Sequence, residues 1–199
     1  MKFFVIGFQC SGKQEVLDIL DSHGIRCGKQ FSNIDQPSPH IYNSYNYELY
    51  SMKDVNEIFE NNAYVFINEL DSNSNVNSYK YFEGLTKYEF DNNEVFLLSP
   101  DQLLHMSPNS IKEDVCFVWL DNNKDERLAR YRREKREYNF TNREEIERRD
   151  VSSFVKTMYS FNNSKLLYFV GEEPGRVAAI IYSLIKHPEL IDIYTEYYN

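Results

Sequence analysis

Three residues, Gly7, Gly12 and Lys13, have types and a spacing that suit phosphate chemistry. They form the pattern Gly-x4-Gly-Lys between the apolar segment 3–6 and a helical pattern that follows. Glycines at this spacing permit a tight turn whose backbone N–H groups point inward at an anion, and the helix start adds partial positive charge. The lysine can then reach the outer phosphates. The spacing therefore predicts a loop that binds the phosphates of a nucleoside triphosphate.

The residue that follows the lysine departs from this pattern. A Ser or Thr usually stands there and ligates magnesium, whereas this chain has Gln14. We expect Gln14 to contact the metal through a water molecule. Cys10 and Ser11 belong to the same loop. Cys10 has two interpretations, a thiol of lowered pKa at a helix start or a small residue that the loop tolerates.

Length and composition limit the class of protein. The 199 residues suit one domain, and 42% hydrophobic residues, with 14 Phe and 16 Tyr, suffice for a packed core. The apolar runs are too short to span a bilayer, and no signal-peptide pattern is expected. Three cysteines without metal-ligand spacing suit a reducing cytoplasm. The net charge of −9 argues against general nucleic-acid binding.

The arginines are unevenly distributed. Eight of the ten lie between Arg127 and Arg149, so the rest of the chain is strongly acidic. Such a cluster in an acidic protein is typical of a site for a small polyanion. A solvated helix with i,i+4 ion pairs remains the alternative for any single arginine.

Apolar and amphipathic segments alternate along the chain. Strands are predicted at 2–6, 45–50, 63–70, 94–99, 114–120 and 165–170, with a strand and a short helix within 79–90. Helices are predicted at 13–23, from the N-cap Ser51 to Asn61, and at 101–106, 124–137, 142–162 and 174–185. The segments 25–45 and 71–78 are predicted to be a loop and a polar turn. Strands that alternate with helices after a phosphate loop imply a three-layer parallel α/β core.

The order of these elements resembles the guanylate kinase family of nucleoside monophosphate kinases. Members follow the phosphate loop with an acceptor-binding lobe that contains an Asp-Tyr-x-Phe-x-Ser segment. A strand with base-reading acidic residues, a Tyr-Tyr-Gly-Ser turn and an arginine-rich lid come next. The similar segments in this chain are 46–51, 61–69, 81–86, 116–120, 127–136 and 144–149. The resemblance covers nearly the whole chain, but its motifs are loose outside the phosphate loop and the lid.

The resemblance implies a single α/β domain of the P-loop kinase type over residues 1–199. Its three-layer core with a parallel sheet would comprise residues 1–30, 91–124 and 150–199. A small β-rich lobe for the nucleoside monophosphate (NMP) would comprise residues 31–90, and a helical lid residues 125–149.

The resemblance also implies roles for individual residues. Lys13, Arg148 and Arg149 would be catalytic. ATP would be bound by Gly7, Cys10, Ser11, Gly12, Lys13, Gln14, Arg127 and Arg130. The acceptor would be bound by Lys29, Tyr47, Asn68, Glu69, Tyr81, Thr86 and Asp101. Gln14 and Asp101 would lie near Mg²⁺.

Several family positions hold other residues in this chain. The segment 29–43 lacks the arginine pair that grips the acceptor phosphate, and Lys29 is its only cation. The guanine-reading carboxylate falls near Phe66, and the serine after the turn glycine is Leu85. The donor half is therefore retained while the acceptor half is rebuilt. The sequence therefore does not identify the base of the acceptor nucleotide, and a non-standard base is one of the alternatives.

We expect a cytoplasmic kinase that transfers the γ-phosphate of ATP to a nucleoside or deoxynucleoside monophosphate, with ATP and Mg²⁺ as cofactors. Its partners would be small nucleotides, with no membrane and no nucleic acid. Gln14 and the missing acceptor arginines leave an alternative open, a catalytically weak or inactive guanylate-kinase-like binding module. A kinase for a modified base within DNA would need a basic groove, which the net charge disfavours. The small, divergent chain, rich in Asn and Tyr, suggests a viral source, and it does not predict an oligomeric state.

Overall fold

A computed structural model of the chain describes residues 1–8, 10–33, 47–73, 78–133 and 151–198. The strands in these ranges are β1 (Lys2–Gly7), β2 (Cys27–Gly28), β3 (Gln30–Ser32), β4 (Tyr47–Leu49), β5 (Tyr64–Asn73), β6 (Ser78–Thr86), β7 (Val95–Leu98), β8 (Val115–Asp121) and β9 (Lys165–Val170). The helices are α1 (Lys13–Ser22), α2 (Met52–Glu60), α3 (Lys87–Asn92), α4 (Pro100–His105), α5 (Lys124–Arg133), α6 (Val151–Tyr159), α7 (Pro174–Lys186) and α8 (Ile191–Tyr197).

The larger sheet has five parallel strands in the order β2-β7-β1-β8-β9. Its central strand β1 has Ile6 opposite Leu98 of β7 on one side and Trp119 of β8 on the other. Residues 3–6 and 115–120 are buried because helices cover both faces of the sheet. This explains why the central strands have continuous apolar sequences instead of an alternating pattern.

Helices form a layer on each face of this sheet. On one face, α1, α7 and α8 contribute to a core cluster that includes Val5 and Val118. On the other, α4 and α6 pack with Phe4 and Phe117. The predicted three-layer parallel α/β fold is therefore confirmed. Within the part of the chain that the structure describes, no helix has the length and apolar character that a membrane span requires.

A second, smaller sheet has the order β4-β3-β6-β5. β3 runs parallel to β4 and antiparallel to β6, which forms a long antiparallel pair with β5. Val55 and Ile58 of α2 pack against Phe31 of this sheet. The sheet also adjoins the main core, because Phe66 and Leu85 belong to the same cluster as α4 and α6.

Most predicted elements lie where expected, with four differences. The predicted loop 25–45 contains β2 and β3. The predicted turn at 71–78 is shorter, because β5 continues to Asn73 and β6 already begins at Ser78. The segment 81–86, which by resemblance would be a turn, is part of β6, since its backbone pairs with β5. The helix α8 was not predicted. Residues 134–149 of the predicted lid (125–149) and residues 34–46 of the predicted acceptor lobe (31–90) lie outside the described residues.

Candidate functional site

The loop between β1 and α1 has the backbone that its glycines predict. Gly12, the residue before α1, has a left-handed φ of 93°, and Cys10 also has a positive φ of 59°. The N–H of Ser11 donates to the carbonyl of Phe8 at 3.2 Å, which closes the turn. Where left-handed residues stand next to right-handed ones, successive backbone N–H groups point toward one centre. This arrangement binds anions.

Gly7 is required by close packing. A Cβ at this position would lie 2.6 Å from the carbonyl oxygen of Leu120 and 2.6 Å from Oγ of Ser11. No side chain fits at these distances unless the loop moves away from β8. The glycine therefore fixes the base of the loop against the neighbouring strand.

The N-terminus of α1 has no side-chain cap, in contrast to three other helices. Ser51, Thr86 and Ser99 each accept a hydrogen bond from the first turn of α2, α3 and α4. Gly12 offers no such group to α1. The first-turn N–H groups of an uncapped helix can bind an anion, and the helix dipole favours this.

Lys13 folds back over the loop. Its Nζ donates to the carbonyl oxygens of Gly7 at 2.6 Å and of Phe8 at 2.8 Å. The ammonium therefore lies on the same side as the loop. A phosphate in the loop would be within reach of this side chain after a rotation of its flexible stem.

The sequence predicts that Gln14 and Asp101 are the protein groups near Mg²⁺. Nε2 of Gln14 donates to Oδ1 of Asp18 at 2.7 Å, so its amide is engaged one turn along α1. Asp101 lies half-buried in the first turn of α4. Among the described residues no group of three or more His, Cys, Asp or Glu could hold a metal. These residues fit Mg²⁺ that is held mainly by phosphate oxygens and water, since Mg²⁺ commonly takes only one or two protein ligands.

Arg127 lies beside the phosphate loop and is buried, with 5% of its surface exposed. Its Nε donates to the carbonyl of Asn122 at 3.1 Å, and its guanidinium carbon lies 5.3 Å from the centre of the Phe8 ring. The side-chain amide of Asn122 donates to the carbonyl of Ser11 at 3.1 Å. The expected lid arginine therefore packs against the base of the loop instead of extending into solvent.

The other expected cationic residues are less informative. Arg130 lies on the same helix as Arg127. Arg148 and Arg149 lie outside the described residues.

Ser11 is 1% exposed, and its hydroxyl has no hydrogen-bond partner among the described residues. This hydroxyl lies beside Gly7, where an added Cβ would be 2.6 Å from it, so it faces the base of the loop and not a bound ligand.

A buried polar cluster lies where the small sheet meets the core, and Gln102 of α4 is its centre. Its Nε2 donates to Oε1 of Glu83 at 2.9 Å and of Gln30 at 2.7 Å, and lies 3.3 Å from the Tyr47 hydroxyl. The amide of Asn68 donates to the same oxygen of Glu83 at 3.3 Å. Nε2 of Gln30 donates to the carbonyl of Leu97 at 2.6 Å. The cluster therefore joins β3, β4, β5 and β6 to the carboxyl end of β7.

Strand pairing explains how the small sheet assembles this cluster. Glu83 of β6 lies opposite Asn68 of β5 and opposite Ser32 of β3, and Gln30 lies opposite Tyr47. Paired residues project from the same face of a sheet. The hydroxyl of Ser32 is buried on this face without a partner among the described residues. This buried face of the small sheet thus combines polar side chains with the apolar Phe66 and Leu85.

The predicted acceptor residues are divided by the structure. Tyr47 and Asn68 belong to the polar cluster. Glu69 follows Asn68, therefore projects from the opposite face of β5, and pairs with Lys80 there. Tyr81 lies two residues before Glu83 on β6 and shares its face of the sheet.

The remaining predicted acceptor residues lie at the edges of this region. The exposed Lys29 pairs with Glu48 at 3.3 Å. The hydroxyl of Thr86 caps α3 by accepting from the N–H of Glu89 at 3.1 Å. Both side chains thus have local structural roles at the edges of the small sheet.

Three members of the polar cluster were missed at the sequence level. Ser99-Pro-Asp-Gln102 is a capping box, in which the Gln102 side chain returns to the N–H of Ser99 at 2.9 Å, and this pattern is readable from sequence. Glu83 follows the aromatic residues Tyr81 and Phe82 in β6, and a carboxylate beside them was a further signal. Gln30 carried no such signal.

A second pair of polar groups lies at the carboxyl ends of β8 and β9. The Tyr168 hydroxyl donates to Oδ2 of Asp121. Burial and this hydrogen bond raise the pKa of Tyr168, so the phenol stays protonated at neutral pH. Burial also raises the pKa of Cys27 to about 12, so this thiol is not a nucleophile at neutral pH.

Comparison with known proteins gives matches among solved structures but none at the level of sequence. No protein-family profile matches the sequence, and no curated protein matches it. Among solved structures, the chain is similar to a guanylate kinase from Anaplasma phagocytophilum, with a TM-score of 0.47 and 11% sequence identity. The match covers 94% of this chain and 84% of that chain.

Proposed function

We propose that this chain is a nucleoside monophosphate kinase, which transfers the γ-phosphate of ATP to a nucleoside or deoxynucleoside monophosphate. The observation that carries the proposal is the loop from Gly7 to Lys13, with its left-handed Gly12, its uncapped helix start and its lysine. Such a loop at the carboxyl end of a central parallel strand is where phosphate binding is expected.

The phosphoryl acceptor would bind at the carboxyl end of the neighbouring strand, β7. Ile6 and Leu98 are paired, so the phosphate loop after β1 and the start of α4 after β7 lie at the same edge of the sheet. The polar cluster around Gln102 lies beside this edge, where α4 meets the small sheet. A buried face with amide, hydroxyl and carboxylate groups suits the recognition of a polar ligand such as a nucleotide base.

Phosphoryl transfer requires positioning and positive charge more than covalent chemistry from the protein. In this proposal Lys13 rotates from the Gly7 and Phe8 carbonyls to the β- and γ-phosphates, while the loop N–H groups hold the β-phosphate. Arg148 and Arg149 would bring positive charge when the lid closes, which also excludes water. Mg²⁺, held by Asp101 and through water by Gln14, would supply charge neutralisation between the phosphates.

The acceptor side depends on the small sheet. Tyr47 and Asn68 would orient the acceptor, with Tyr81, Thr86 and Lys29 around them and Glu69 on the outer face. The division into core, acceptor lobe and lid is part of the same proposal. The lobe would move relative to the core when both nucleotides bind, as in other enzymes that close around a phosphoryl donor.

The test measures ADP release from the purified protein with ATP, Mg²⁺ and a panel of nucleoside and deoxynucleoside monophosphates. Lys13→Ala should lower turnover by about 10²- to 10³-fold, since it removes one preorganised charge at the transferring group. The matched control is Lys53→Ala, because Lys53 is 84% exposed on α2 and pairs only loosely with Glu57 at 3.7 Å. Unchanged turnover in Lys13→Ala contradicts the proposal. So does ADP release at the same rate with and without an acceptor.

One observation favours the second candidate, a binding module without turnover. Gln14 replaces the expected hydroxyl, and its amide is bonded to Asp18. If this bond prevents metal binding, wild-type protein binds ATP but releases no ADP, and Gln14→Thr gains activity. A kinase that uses Gln14 through water is active before the substitution.

A further inference from the structure

Arg127 joins two separate points of the phosphate loop. Its guanidinium lies over the ring of Phe8, the second residue of the loop, at 5.3 Å. Its Nε donates to the carbonyl of Asn122, whose side chain donates to the carbonyl of Ser11. The path from Phe8 through Arg127 and Asn122 to Ser11 therefore begins and ends in the loop.

The burial of Arg127 makes these contacts significant. Only 5% of the residue is exposed, and Asn122 is 6% exposed. A buried guanidinium is unfavourable unless hydrogen bonds and aromatic contacts compensate for the lost water. Because the buried guanidinium of Arg127 depends on its contacts with Phe8 and Asn122, these contacts constrain the positions of both residues.

Phe8 continues this path into the core. Its ring meets the Trp119 ring edge-on at 5.7 Å, and Trp119 stacks on Phe154 at 5.7 Å. Trp119 is fully buried and is the single tryptophan of the chain. A movement of Phe8 would therefore change the surroundings of a unique fluorophore.

We propose that Arg127 is a positioning residue that holds the phosphate loop in its binding conformation through Phe8 and Asn122. This inference rests on the proposed function, because it assumes that the loop binds the phosphates of ATP. It differs from the role of a lid arginine, which would act by direct contact with the phosphates. Arg127 instead acts on the loop from beneath, before any nucleotide arrives.

The first experiment titrates wild type and Arg127→Met with ATP and with inorganic tripolyphosphate, and follows Trp119 emission. Loss of a charge-assisted hydrogen bond and of the ring contact should weaken the binding of both ligands by about tenfold. Because Arg127 acts through the loop, which would hold the phosphates of either ligand, the affinities for ATP and for tripolyphosphate should fall by the same factor. Trp119 emission should also change before any ligand is added. The control is Arg132→Met, which removes an exposed arginine of the same helix and should match wild type.

The second experiment is a double-mutant cycle of Arg127→Met and Phe8→Leu. If Arg127 acts on the loop through Phe8 and Asn122, the two substitutions affect a shared contact, and the double variant loses less affinity for tripolyphosphate than the product of the two single losses. If Arg127 contacts the phosphates directly, the two effects multiply, which overturns the inference. Wild-type affinity in Arg127→Met overturns it, and so does a loss for ATP that tripolyphosphate does not share.

Failure of the proposed function gives a different result. A wild-type protein that binds neither ATP nor tripolyphosphate contradicts the kinase proposal. In that case the emission of Trp119 in Arg127→Met still tests the contact between Arg127 and Phe8, because this contact exists without ligand. Emission identical to that of wild type then overturns the inference.

Discussion

Gly7 shows how a single residue can constrain both a sheet and a loop. The neighbours of its missing Cβ are a backbone carbonyl of β8 and a side chain of the loop, each 2.6 Å away. The carbonyl cannot rotate away because β8 is paired on both sides. The loop is therefore the part that must yield to any larger residue.

Gly7→Ala should lower the free energy of unfolding by about 1–3 kcal/mol, because overpacking forces the loop from β8. It should also weaken ATP binding. Urea unfolding and nucleotide titration measure the two effects. Gly175→Ala is the control, because a Cβ there meets nothing within 4 Å near the start of α7. We expect it to be neutral or slightly stabilising. Equal stability of the two variants contradicts the packing explanation.

The tight turn between β1 and α1 was predictable from sequence, whereas the polar cluster was not. Gly7, Gly12 and Lys13 lie within seven residues of the chain, so a local pattern predicts that they share one loop. Gln30, Glu83 and Gln102 are brought together only by sheet pairing and by α4, at sequence separations of 19 to 72 residues. No local pattern reports such a contact.

At the scale of elements, Gln102 links helix capping to the contact between the two sheets. Its Oε1 accepts from the N–H of Ser99, while its Nε2 donates to Glu83 and Gln30. The helix start and the sheet contact therefore depend on one side chain. This is a demanding arrangement, since a partly satisfied buried network is less favourable than an apolar one.

Gln102→Leu keeps a similar volume but removes every polar contact of the side chain. Glu83 then loses a donor in a buried site, which should cost about 1–3 kcal/mol in the free energy of unfolding. If the cluster binds the acceptor, KM for the acceptor should rise while ATP binding is unchanged. The control is Leu104→Ala, since Leu104 of the same helix is 41% exposed. A variant as stable as wild type would show that the network is not structural.

The capping box of α2 gives a pH-dependent prediction. Hydrogen bonds from the hydroxyl and the N–H of Ser51 lower the pKa of Asp54 below its ordinary value of 3.8. A carboxyl whose folded pKa is lowered stabilises the fold above its unfolded pKa, and this contribution is lost as the pH falls through the folded value.

Asp54→Asn should therefore be less stable than wild type at neutral pH, with a difference that shrinks below pH 3.8. Urea unfolding at several pH values measures this difference. Glu57→Gln on the same helix is the control, because its exposed ion pair with Lys53 contributes little. A difference that is constant from neutral pH to pH 2.5 contradicts the role of the Asp54 charge.

Sequence patterns predicted long elements better than short ones. The six apolar residues from Val115 to Leu120 predicted β8 because a buried parallel strand needs such a run. β2 and β3 have only two and three residues, too few for a periodic pattern. They form strands because β7 and β6 offer them partners.

At the scale of the whole molecule, the end of the described chain protects one edge of the larger sheet. β9 is an edge strand, and the N–H of Tyr168 donates to the carbonyl of Tyr198 at 3.0 Å. The Tyr198 ring lies 4.5 Å from that of Phe169, and Arg176 donates to its hydroxyl at 3.2 Å. An edge that is covered in this way is less available for pairing with another molecule.

Tyr198→Ala should lower the free energy of unfolding by about 1–2 kcal/mol, because it removes a hydrogen bond and a ring contact. Light scattering on heating should increase, since the edge of β9 becomes more accessible. Tyr197→Ala is the matched control, because Tyr197 is 75% exposed. Identical behaviour of the two variants would contradict a protective role for Tyr198.

The position of Lys13 has a consequence for ionic selectivity. Its ammonium already bonds to the carbonyls of Gly7 and Phe8, so an incoming anion must replace these two partners. A singly charged ion such as chloride or acetate offers little more than the carbonyls provide. A multiply charged oxyanion offers several charge-assisted hydrogen bonds at once and can displace them. If the loop binds phosphates as proposed, we therefore expect it to exclude singly charged anions while it admits multiply charged oxyanions.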